Sequence, residues 1–304
     1  MLRFVNLYDY AKSKMIDYKN VIQSSRMVLR KSEADLSVIV PAYGREGFLE
    51  PLIHSFKKAS VKSPVNVVFT VVEHSEIPLH VRTAEKLNIN HIWIPKQDHE
   101  PFNKCLAMNV GAVSVNATEY IFHDLDCLVQ SNFFENLYSN IQKKGCSAIQ
   151  TFSDRRVLYL NKDLTYKALL MGLDLDSLKE GPRDTEDENY NGVTPPGVVG
   201  APGGSIWIKK GTFIDVGGYD PNVFFGYSPE DIFFWDKVCT VSEMETCTEP
   251  RNEIFHMYHP PTHSSNPQIK FLIDLHRVFV NCTKQEKLKF LALQRESLMQ
   301  AYGI

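Results

Sequence analysis

The sequence predicts an α/β protein with a mostly parallel central sheet and helices on both faces. Over the first half of the chain, short apolar runs rich in β-branched residues alternate with segments of helical spacing, which is the pattern of βαβ units. Polar residues follow three of the predicted strands, at the sheet edge where ligands bind in such folds. With 304 residues, 43% of them hydrophobic, the chain can bury a substantial core.

The predicted elements follow one another with short connections. Apolar, β-branched residues such as 38–40 indicate buried strands. The first predicted segment, 36–43, is a strand that stops at Pro41 and continues as a loop. Apolar residues spaced three and four apart, as in 49–56, indicate helices. In order, we predict strand 36–43, helix 47–58, strand 65–72, helix 79–87, strand 91–95, helix 102–114 and strand 120–128.

The second half of the chain changes in character. Helix 133–144 and strand 148–152 are followed by a stretch, 179–204, that is rich in Gly, Pro, Asp, Glu and Asn. A polar segment of this length is usually a functional lid or is disordered, and we interpret 179–200 as a mobile loop near the substrate. Gly203 and Gly204 then open another strand, where backbone can approach a ligand closely.

Charge and composition narrow the function classes. A net charge of −3 argues against broad nucleic-acid binding, and no apolar run is long enough to cross a membrane. The start of the chain lacks a secretory signal and the six cysteines are scattered, so we expect a cytoplasmic protein with reduced thiols. The basic first 31 residues either touch an anionic membrane surface peripherally or form a solvated helix packed on the domain.

The run 120–128 contains two aspartates, Asp124 and Asp126, one residue apart. If the strand continues through them, both carboxylates point to the same side and Leu125 points into the core. Two such acids repel unless a cation, a proton or basic groups intervene, and hard oxygen ligands suit Mg²⁺ or Mn²⁺. The triplet alone is a weak signal, because Asp174 and Asp176 repeat it at what resembles an exposed helix end.

Three turns should meet at one place. Residues 43–45, Glu73 with His74, and Asp124 with Asp126 each follow a predicted strand. Because parallel strands place their carboxyl ends at one edge of a sheet, these side chains are expected to converge on one crevice. This convergence predicts a nucleotide site.

Residues 228–231, Ser-Pro-Glu-Asp, have the form of a helix start, with Ser228 as N-cap. Acids favour a helix N-terminus through the macrodipole alone. The preceding aromatic and glycine residues, 224–227, add a flat apolar surface of the kind that binds sugars, and a carboxylate beside it can act as a base. Later in the chain, His256 and His259 follow a predicted strand, and one of them is a candidate metal ligand.

In this order the residues resemble the motifs of the GT-A glycosyltransferases, above all the β-1,4-galactosyltransferases and the bacterial capsule- and chondroitin-type transferases. The resemblance covers about 36–268. It implies a GT-A catalytic domain at 36–268, with a nucleotide-binding half at 36–130 and an acceptor half at 131–268. Residues 1–35 are then a basic N-terminal helical extension, and 269–304 a C-terminal helical tail. The matching segments are 41–45, 102–104 with 109–111, 124–126, 203–204, 226–231 and His259.

The resemblance implies a role for each matching residue. Asp126 and His259 are the implied ligands of Mn²⁺ or Mg²⁺, with His256 as the alternative to His259. Asp231 is the implied catalytic base, and Glu230 is its neighbour on the acceptor side. With Glu73 added from the crevice argument, the predicted nucleotide-sugar contacts are Pro41, Ala42, Arg45, Glu73, Phe102, Asn103, Lys104, Asp124, Gly203, Gly204 and Tyr227.

The resemblance also implies that Lys104 approaches the diphosphate and uridine.

Two departures from the family pattern bear on specificity. Residues 227–229, Tyr-Ser-Pro, replace a Trp-Gly-Gly sequence and stiffen the acceptor side of the site. Ala201 and Pro202 stand where galactosyltransferases carry a bulky aromatic residue, which leaves room for an N-acetyl group.

The predicted function is an inverting, metal-dependent transfer of a hexose or N-acetylhexosamine from a UDP-sugar donor to a saccharide acceptor, in bacterial surface polysaccharide synthesis. Two alternatives stay open. A phosphohydrolase with an aspartate nucleophile also carries an Asp-x-Asp triplet at a strand end, although there the triplet normally lies on the first strand. The other alternative is a non-catalytic module that binds nucleotide sugars.

Overall fold

The computed structural model describes residues 3–153, 157–172, 174–177, 203–260 and 266–303. Within these residues the strands follow the order expected from the sequence, with several short additions. The strands are β1 (Arg26–Val28), β2 (Glu33–Ala42), β3 (Val67–Ser75), β4 (Asn90–Pro95), β5 (Asn116–His123), β6 (Cys127–Val129), β7 (Ala148–Ser153), β8 (Val157–Tyr159), β9 (Ser205–Lys209), β10 (Glu245–Cys247) and β11 (Ile254–His256).

Helices connect and cover these strands. Short 3₁₀ turns at Glu46–Phe48 and Leu175–Ser177 accompany them. The helices are α1 (Phe4–Ser13), α2 (Tyr18–Ser24), α3 (Leu49–Ser60), α4 (Val81–Leu87), α5 (Lys104–Ser114), α6 (Phe133–Lys144), α7 (Lys162–Met171), α8 (Lys210–Asp215), α9 (Glu230–Val241), α10 (Ile269–Val280) and α11 (Lys284–Tyr302).

The central sheet of the described residues has eight strands in the order β1-β4-β3-β2-β5-β9-β7-β10. Its middle, β4-β3-β2-β5, is entirely parallel. Strand β9 then runs antiparallel to both β5 and β7, and β1 runs antiparallel to β4. A second sheet, β6-β11-β8, lies beside the carboxyl end of β5.

Both faces of the central sheet are covered, as predicted. Along β2, Val38 and Val40 belong to one buried cluster, with α3 and α6, whereas Ile39 belongs to another, with α5, α9 and α11. A strand buried on both faces reads as a continuous apolar run, and β2 is buried from Leu36 onward. Helix α5 lies especially close, because a Cβ on Gly111 would stand 2.5 Å from Ile39 Cγ2.

The terminal helices belong to the same packed body as the sheet. Leu7 of α1 and Leu298 of α11 are fully buried and share a core cluster with Phe213. A Cβ on Gly217 would lie 2.6 Å from the backbone nitrogen of Arg295, so α11 rests directly on this glycine. The tail therefore packs internally, one of the two possibilities left open by its sequence, while the domain boundaries themselves stay a prediction.

None of the helices in the described part of the chain is both long and apolar enough to cross a membrane. The six cysteines carry free thiols, and four of them are buried as predicted. Cys239 is exposed and Cys282 is half-buried, so the expectation of core thiols is wrong for these two.

Candidate functional site

The carboxyl ends of β2, β3 and β5 meet in one crevice, as predicted, although Glu73 does not take part. Tyr43, which follows β2, stacks on Phe102 with 5.5 Å between ring centroids. The ring of His74, the second-last residue of β3, lies 6.2 Å from the Phe102 ring. Arg45 reaches across the edge of the sheet and forms an ion pair with Asp126.

The aspartate triplet lies in a turn, so the prediction of one continuous strand through 120–128 is wrong. Strand β5 ends at His123, and the N–H of Cys127 donates to the Asp124 carbonyl at 3.2 Å, which closes the turn. The cause is a tertiary contact: the buried ring of His123 binds Ser205 Oγ at 2.7 Å and the Cys127 carbonyl. Leu125 is buried as predicted.

Because of this turn the two carboxylates have different partners. Asp124 Oδ1 lies 2.9 Å from the ammonium of Lys104. Asp126 instead faces Arg45 and two imidazoles. The prediction that both carboxylates point to the same side of a strand does not hold, because the triplet lies in a turn. The different roles implied for Asp124 and Asp126 stay predictions.

Asp126, His256 and His259 form a candidate metal centre. Their donor atoms all lie within 4.8 Å of one another. His259 Nε2 is 3.1 Å and His256 Nε2 is 3.6 Å from the same oxygen, Asp126 Oδ2. One carboxylate and two imidazoles suit a transition-metal ion such as Mn²⁺ better than Mg²⁺, which prefers oxygen ligands. The sequence offered His256 only as an alternative, whereas the structure brings both histidines to the site.

Strand β11 brings His256 and His259, which are distant in sequence, close to Asp126. It pairs antiparallel with β6, with His256 opposite Cys127. The N–H of Met257 donates to the Asp126 carbonyl at 2.7 Å, which fixes the aspartate backbone against the end of β11.

The surroundings of Asp126 and His256 shift the pKa values of these two candidate ligands. Burial raises the pKa of Asp126, but His256, His259 and Arg45 together outweigh it and hold the pKa well below its ordinary value. Burial lowers the pKa of His256 in spite of the nearby Asp126 charge. An ionised carboxylate beside a neutral imidazole is the state that binds a metal.

His259 can exist in two hydrogen-bonding states. Its Nδ1 lies 3.0 Å from the Pro260 carbonyl and 3.3 Å from Arg45 Nη2. One ring nitrogen cannot donate to the carbonyl and accept from the guanidinium at once. With the proton on Nδ1, the Nε2 lone pair is available to a cation at Asp126, and the carbonyl fixes the ring in the manner usual for metal-bound histidines.

A second cluster surrounds Lys104, the first residue of α5. Its Nζ lies 2.9 Å from Asp124 Oδ1, 3.0 Å from Asp231 Oδ2 and 3.5 Å from Glu230 Oε1. Asn103 caps the helix by accepting from the N–H of Leu106. The structure places Lys104 among three carboxylates, and the approach to the diphosphate and uridine that the resemblance implied stays a prediction.

Two acids of this cluster, Glu230 and Asp231, have raised pKa values. Burial and the charge of Asp231 raise the pKa of Glu230 to about 7, against the opposing effect of Lys104. Burial, with Asp124, also raises the pKa of Asp231, again opposed by Lys104. Burial disfavours the charged form of Lys104, but the three carboxylates outweigh it and raise its pKa well above the ordinary value. Paired carboxylates with raised pKa values are suited to proton transfer near neutral pH.

The glycine pair before β9 contacts two acids of the Lys104 cluster. A Cβ on Gly203 would lie 2.4 Å from Asp231 Oδ2. Gly204 has a φ of +97°, and its carbonyl accepts from the N–H of Asp124 at 2.9 Å. The sequence predicted close backbone approach to a ligand here, and the structure shows that the approach is to the carboxylate of Asp231.

Helix α9 carries Glu230 and Asp231 and begins one residue later than predicted. Pro229 occupies the N-cap position, while Ser228 Oγ donates to Glu230 Oε2 at 3.0 Å instead of capping the helix. Farther along α9, Lys237 Nζ donates to Asp220 Oδ2 at 2.6 Å.

This pair of Lys237 and Asp220 is buried and anchors α9, and sequence reasoning missed it. The ammonium also donates to the Gly218 carbonyl at 2.6 Å. In the sequence, this pair is indicated only by a lysine, Lys237, inside an apolar helical run.

Glu73 does not face the crevice, and the structure does not support it as a nucleotide contact. The residue is fully buried, and its Oε1 accepts from the N–H of Leu79 at 2.6 Å. Its Oε2 lies 3.1 Å from His91 Nε2 and accepts from the N–H of His80 at 3.2 Å. The ring of His80 in turn binds the carbonyl of Gly44 at 2.8 Å, so Glu73 supports the loop that carries Arg45.

The other predicted residues fall at the rim or elsewhere. Pro41 and Ala42 are buried at the end of β2, and Tyr227 is exposed, with its carbonyl accepting from Asn266 Nδ2 at 3.1 Å. The Asp174 and Asp176 decoy is at the surface as predicted and pairs with Lys58. The segment 179–200, Ala201 and Pro202 lie outside the described residues.

The likeness to a solved structure of S. aureus TarS identifies the fold. The chain is similar to S. aureus TarS, residues 1–349, in complex with UDP-GlcNAc, with a TM-score of 0.54 at 14% identity over 85% of this chain and 70% of that one. It also resembles the catalytic domain of Drosophila β1,4-galactosyltransferase 7 in complex with xylobiose, with a TM-score of 0.45 at 13% identity over 76% of this chain and 73% of that one.

At these identities the likeness concerns the fold. No family model matches the sequence, and no curated protein matches it. The chain has the fold of the GT-A glycosyltransferases, as its ordered motifs predict.

Proposed function

We propose that the protein is an inverting, metal-dependent glycosyltransferase that moves a hexose or N-acetylhexosamine from a UDP-sugar to a saccharide hydroxyl. One observation carries the proposal. Lys104 forms ion pairs with Asp124 of the aspartate turn and with Glu230 and Asp231, next to the candidate metal centre around Asp126. A base and a candidate metal centre thus share one crevice, at the sheet edge where donors bind in α/β folds.

The donor side is formed by the aromatic stack and by Arg45. Tyr43 stacked on Phe102 offers a flat surface for the nucleobase of the donor. The guanidinium of Arg45 suits phosphate oxygens, which it can bind through bidentate hydrogen bonds. The likeness to TarS, solved with UDP-GlcNAc, makes that nucleotide sugar the first donor to test. The room that Ala201 and Pro202 are predicted to leave for an N-acetyl group favours the same choice.

Asp126, His256 and His259 would hold the metal ion. When bound, Mn²⁺ or Mg²⁺ would supply positive charge against the negative charge that develops on the departing diphosphate. Their donor set fits such an ion, because it combines an ionised carboxylate with imidazole nitrogens within 4.8 Å.

Asp231 would act as the base. Its carboxylate would take the proton of the acceptor hydroxyl as that oxygen attacks the anomeric carbon, and one base suffices for inversion. Glu230 would hydrogen-bond the acceptor or stabilise oxocarbenium-like charge. The exposed ring of Tyr227 provides a surface against which an acceptor sugar can pack.

A screen of UDP-sugars for Mn²⁺-dependent release of UDP, with and without saccharide acceptors, tests the proposal. We expect release with at least one donor, UDP-GlcNAc first among them, and faster release with an acceptor. Binding of UDP-sugars without any release would favour the binding module instead, and hydrolysis of a simple aryl phosphate would favour the phosphohydrolase. A place in bacterial surface polysaccharide synthesis, in the cytoplasm or peripherally on the membrane, is part of the same proposal.

A further inference from the structure

Arg45 occupies the position toward which the candidate metal ligands converge. Its Nη1 contacts Asp126 Oδ2, the oxygen that His256 and His259 also face. Its Nη2 lies 3.3 Å from His259 Nδ1. A guanidinium and a divalent cation at one carboxylate oxygen repel each other, so the two compete for Asp126.

The position of Arg45 also sets the state of His259. While Arg45 Nη2 donates to Nδ1, the ring proton sits on Nε2 and donates to Asp126, which leaves no lone pair for a metal ion. When Arg45 withdraws, Nδ1 can carry the proton and donate to the Pro260 carbonyl at 3.0 Å, and the Nε2 lone pair then faces Asp126. The exchange moves one proton between ring nitrogens through solvent, with no net gain or loss.

The backbone of the loop that carries Arg45 is fixed by hydrogen bonds, while the Arg45 side chain is partly exposed to solvent. Gly44 and Arg45 have φ values of +61° and +54°, both in the left-handed region. His80 binds the Gly44 carbonyl at 2.8 Å, and the buried Glu73 fixes His80. The Arg45 side chain itself keeps 28% of its surface exposed, so it can rotate toward solvent from a fixed attachment point.

We propose that Arg45 is a built-in competitor that couples metal binding to diphosphate binding. With no diphosphate bound, its guanidinium neutralises Asp126 and keeps His259 in the tautomer that cannot ligate. A diphosphate attracts the guanidinium by bidentate hydrogen bonds and so releases Asp126 and His259 to the metal ion. The protein therefore binds Mn²⁺ weakly alone and tightly together with UDP, and by reciprocity it binds UDP tightly only with Mn²⁺. This inference rests on the proposed function for the choice of UDP as the diphosphate.

Calorimetric titration of the full chain with Mn²⁺ alone, and with Mn²⁺ in the presence of UDP, tests the proposal. We expect Arg45→Gln to bind Mn²⁺ alone about tenfold more tightly than the wild type, within the roughly 5- to 150-fold range of typical couplings between sites. The gain in Mn²⁺ affinity on adding UDP should shrink by a similar factor. Arg45→Lys, the matched control that keeps the positive charge, should stay nearer the wild type.

Nitrogen-15 NMR of the histidine side chains gives a second readout that does not depend on a variant. Without metal, the His259 ring should be protonated on Nε2 in the wild type, and addition of Mg²⁺ with UDP, as a diamagnetic probe, should move the proton to Nδ1. Equal Mn²⁺ affinity with and without UDP in the wild type would overturn the proposal, as would an Arg45→Gln variant that binds Mn²⁺ no more tightly. Failure of every UDP-sugar to react would contradict the transferase instead and would leave the measured coupling standing.

Discussion

Asp231 meets the backbone of Gly203 so closely that no side chain fits between them. A Cβ at Gly203 would stand 2.4 Å from Asp231 Oδ2, and the carboxylate cannot simply retreat, because Lys104 holds it at 3.0 Å. The position of the proposed base thus depends on a residue that has no functional group of its own.

Gly203→Ala should therefore displace Asp231 and lower turnover by about 10²-fold, the scale of a displaced catalytic group. Mn²⁺ binding should change little, since the atoms nearest to a Cβ at Gly203 belong to Asp231 and not to the candidate metal ligands Asp126, His256 and His259. Gly211→Ala is the matched control, because a Cβ at Gly211 meets nothing within 4 Å. Equal turnover in the two variants would show that the close approach has no catalytic consequence.

Lys104 is the other residue on which the base depends. It opposes the rise in pKa that burial imposes on Glu230 and Asp231. Glu230 has a pKa of about 7 in its presence, and kcat/KM should fall as pH falls through the raised pKa values and the base becomes protonated.

Lys104→Met should raise both pKa values further, because it removes a positive charge that favours the ionised form of these acids. The acid limb of the pH profile should then move to higher pH, with activity partly restored in alkaline buffer. Lys104→Arg keeps the charge and should shift the limb much less. A pH profile of Lys104→Met that superimposes on the wild type would contradict this role.

At the scale of elements, helix α9 is held in place by a buried ion pair. Lys237 and Asp220 are 0% and 1% exposed, and the ammonium also binds the Gly218 carbonyl. Burial raises the pKa of Asp220 to about 6 against the opposing charge of Lys237. The pair therefore fixes α9, and with it Glu230 and Asp231, to the segment that precedes the helix.

Lys237→Met should lower the free energy of unfolding by about 3–5 kcal/mol, since it leaves the Asp220 carboxylate buried without its partner. The double variant with Asp220→Asn should recover a large part of this loss, because no isolated charge is then buried. Chemical denaturation measures both. A single variant as stable as the wild type would show that the pair is dispensable to the fold.

The elements also show where prediction from sequence works. Strand β2 and helix α6 are predicted closely, because a doubly buried strand and an amphipathic helix leave periodic patterns within a few residues of sequence. The break after His123 is not predictable in this way. It depends on the contact of the His123 ring with Ser205, 82 residues away.

At the scale of the whole molecule, the site assembles from segments that only the fold brings together. Asp126 and His259 are 133 residues apart, and Lys104 and Asp231 are 127 apart. Ordered motifs gave the residue types and the sheet edge at which they meet. They could not give the partner of each side chain, so the three carboxylates around Lys104 were not predicted, and the buried Glu73 was expected at the nucleotide.

The terminal helices illustrate the same point. Tyr18, in the basic leader, is buried and accepts a hydrogen bond from Asn109 of α5, and Asn109 also binds the backbone of Tyr219. The leader also contacts the segment that leads into α9, because Asn222 Nδ2 donates to the Ala11 carbonyl at 2.8 Å. Its charge pattern suggested a surface role, because the few buried side chains that connect it to the core leave little periodic signal in so short a helix.

The central claim is that Asp231 is the base of a metal-dependent sugar transfer, and turnover of Asp231→Asn tests it most directly. Mn²⁺-dependent release of UDP in the presence of acceptor should fall by about 10²- to 10⁴-fold, the usual contribution of a well-placed base. Calorimetry should show that the variant still binds UDP with Mn²⁺, because Asp126, His256 and His259 are unchanged. Near-normal turnover by a folded Asp231→Asn protein would contradict the account.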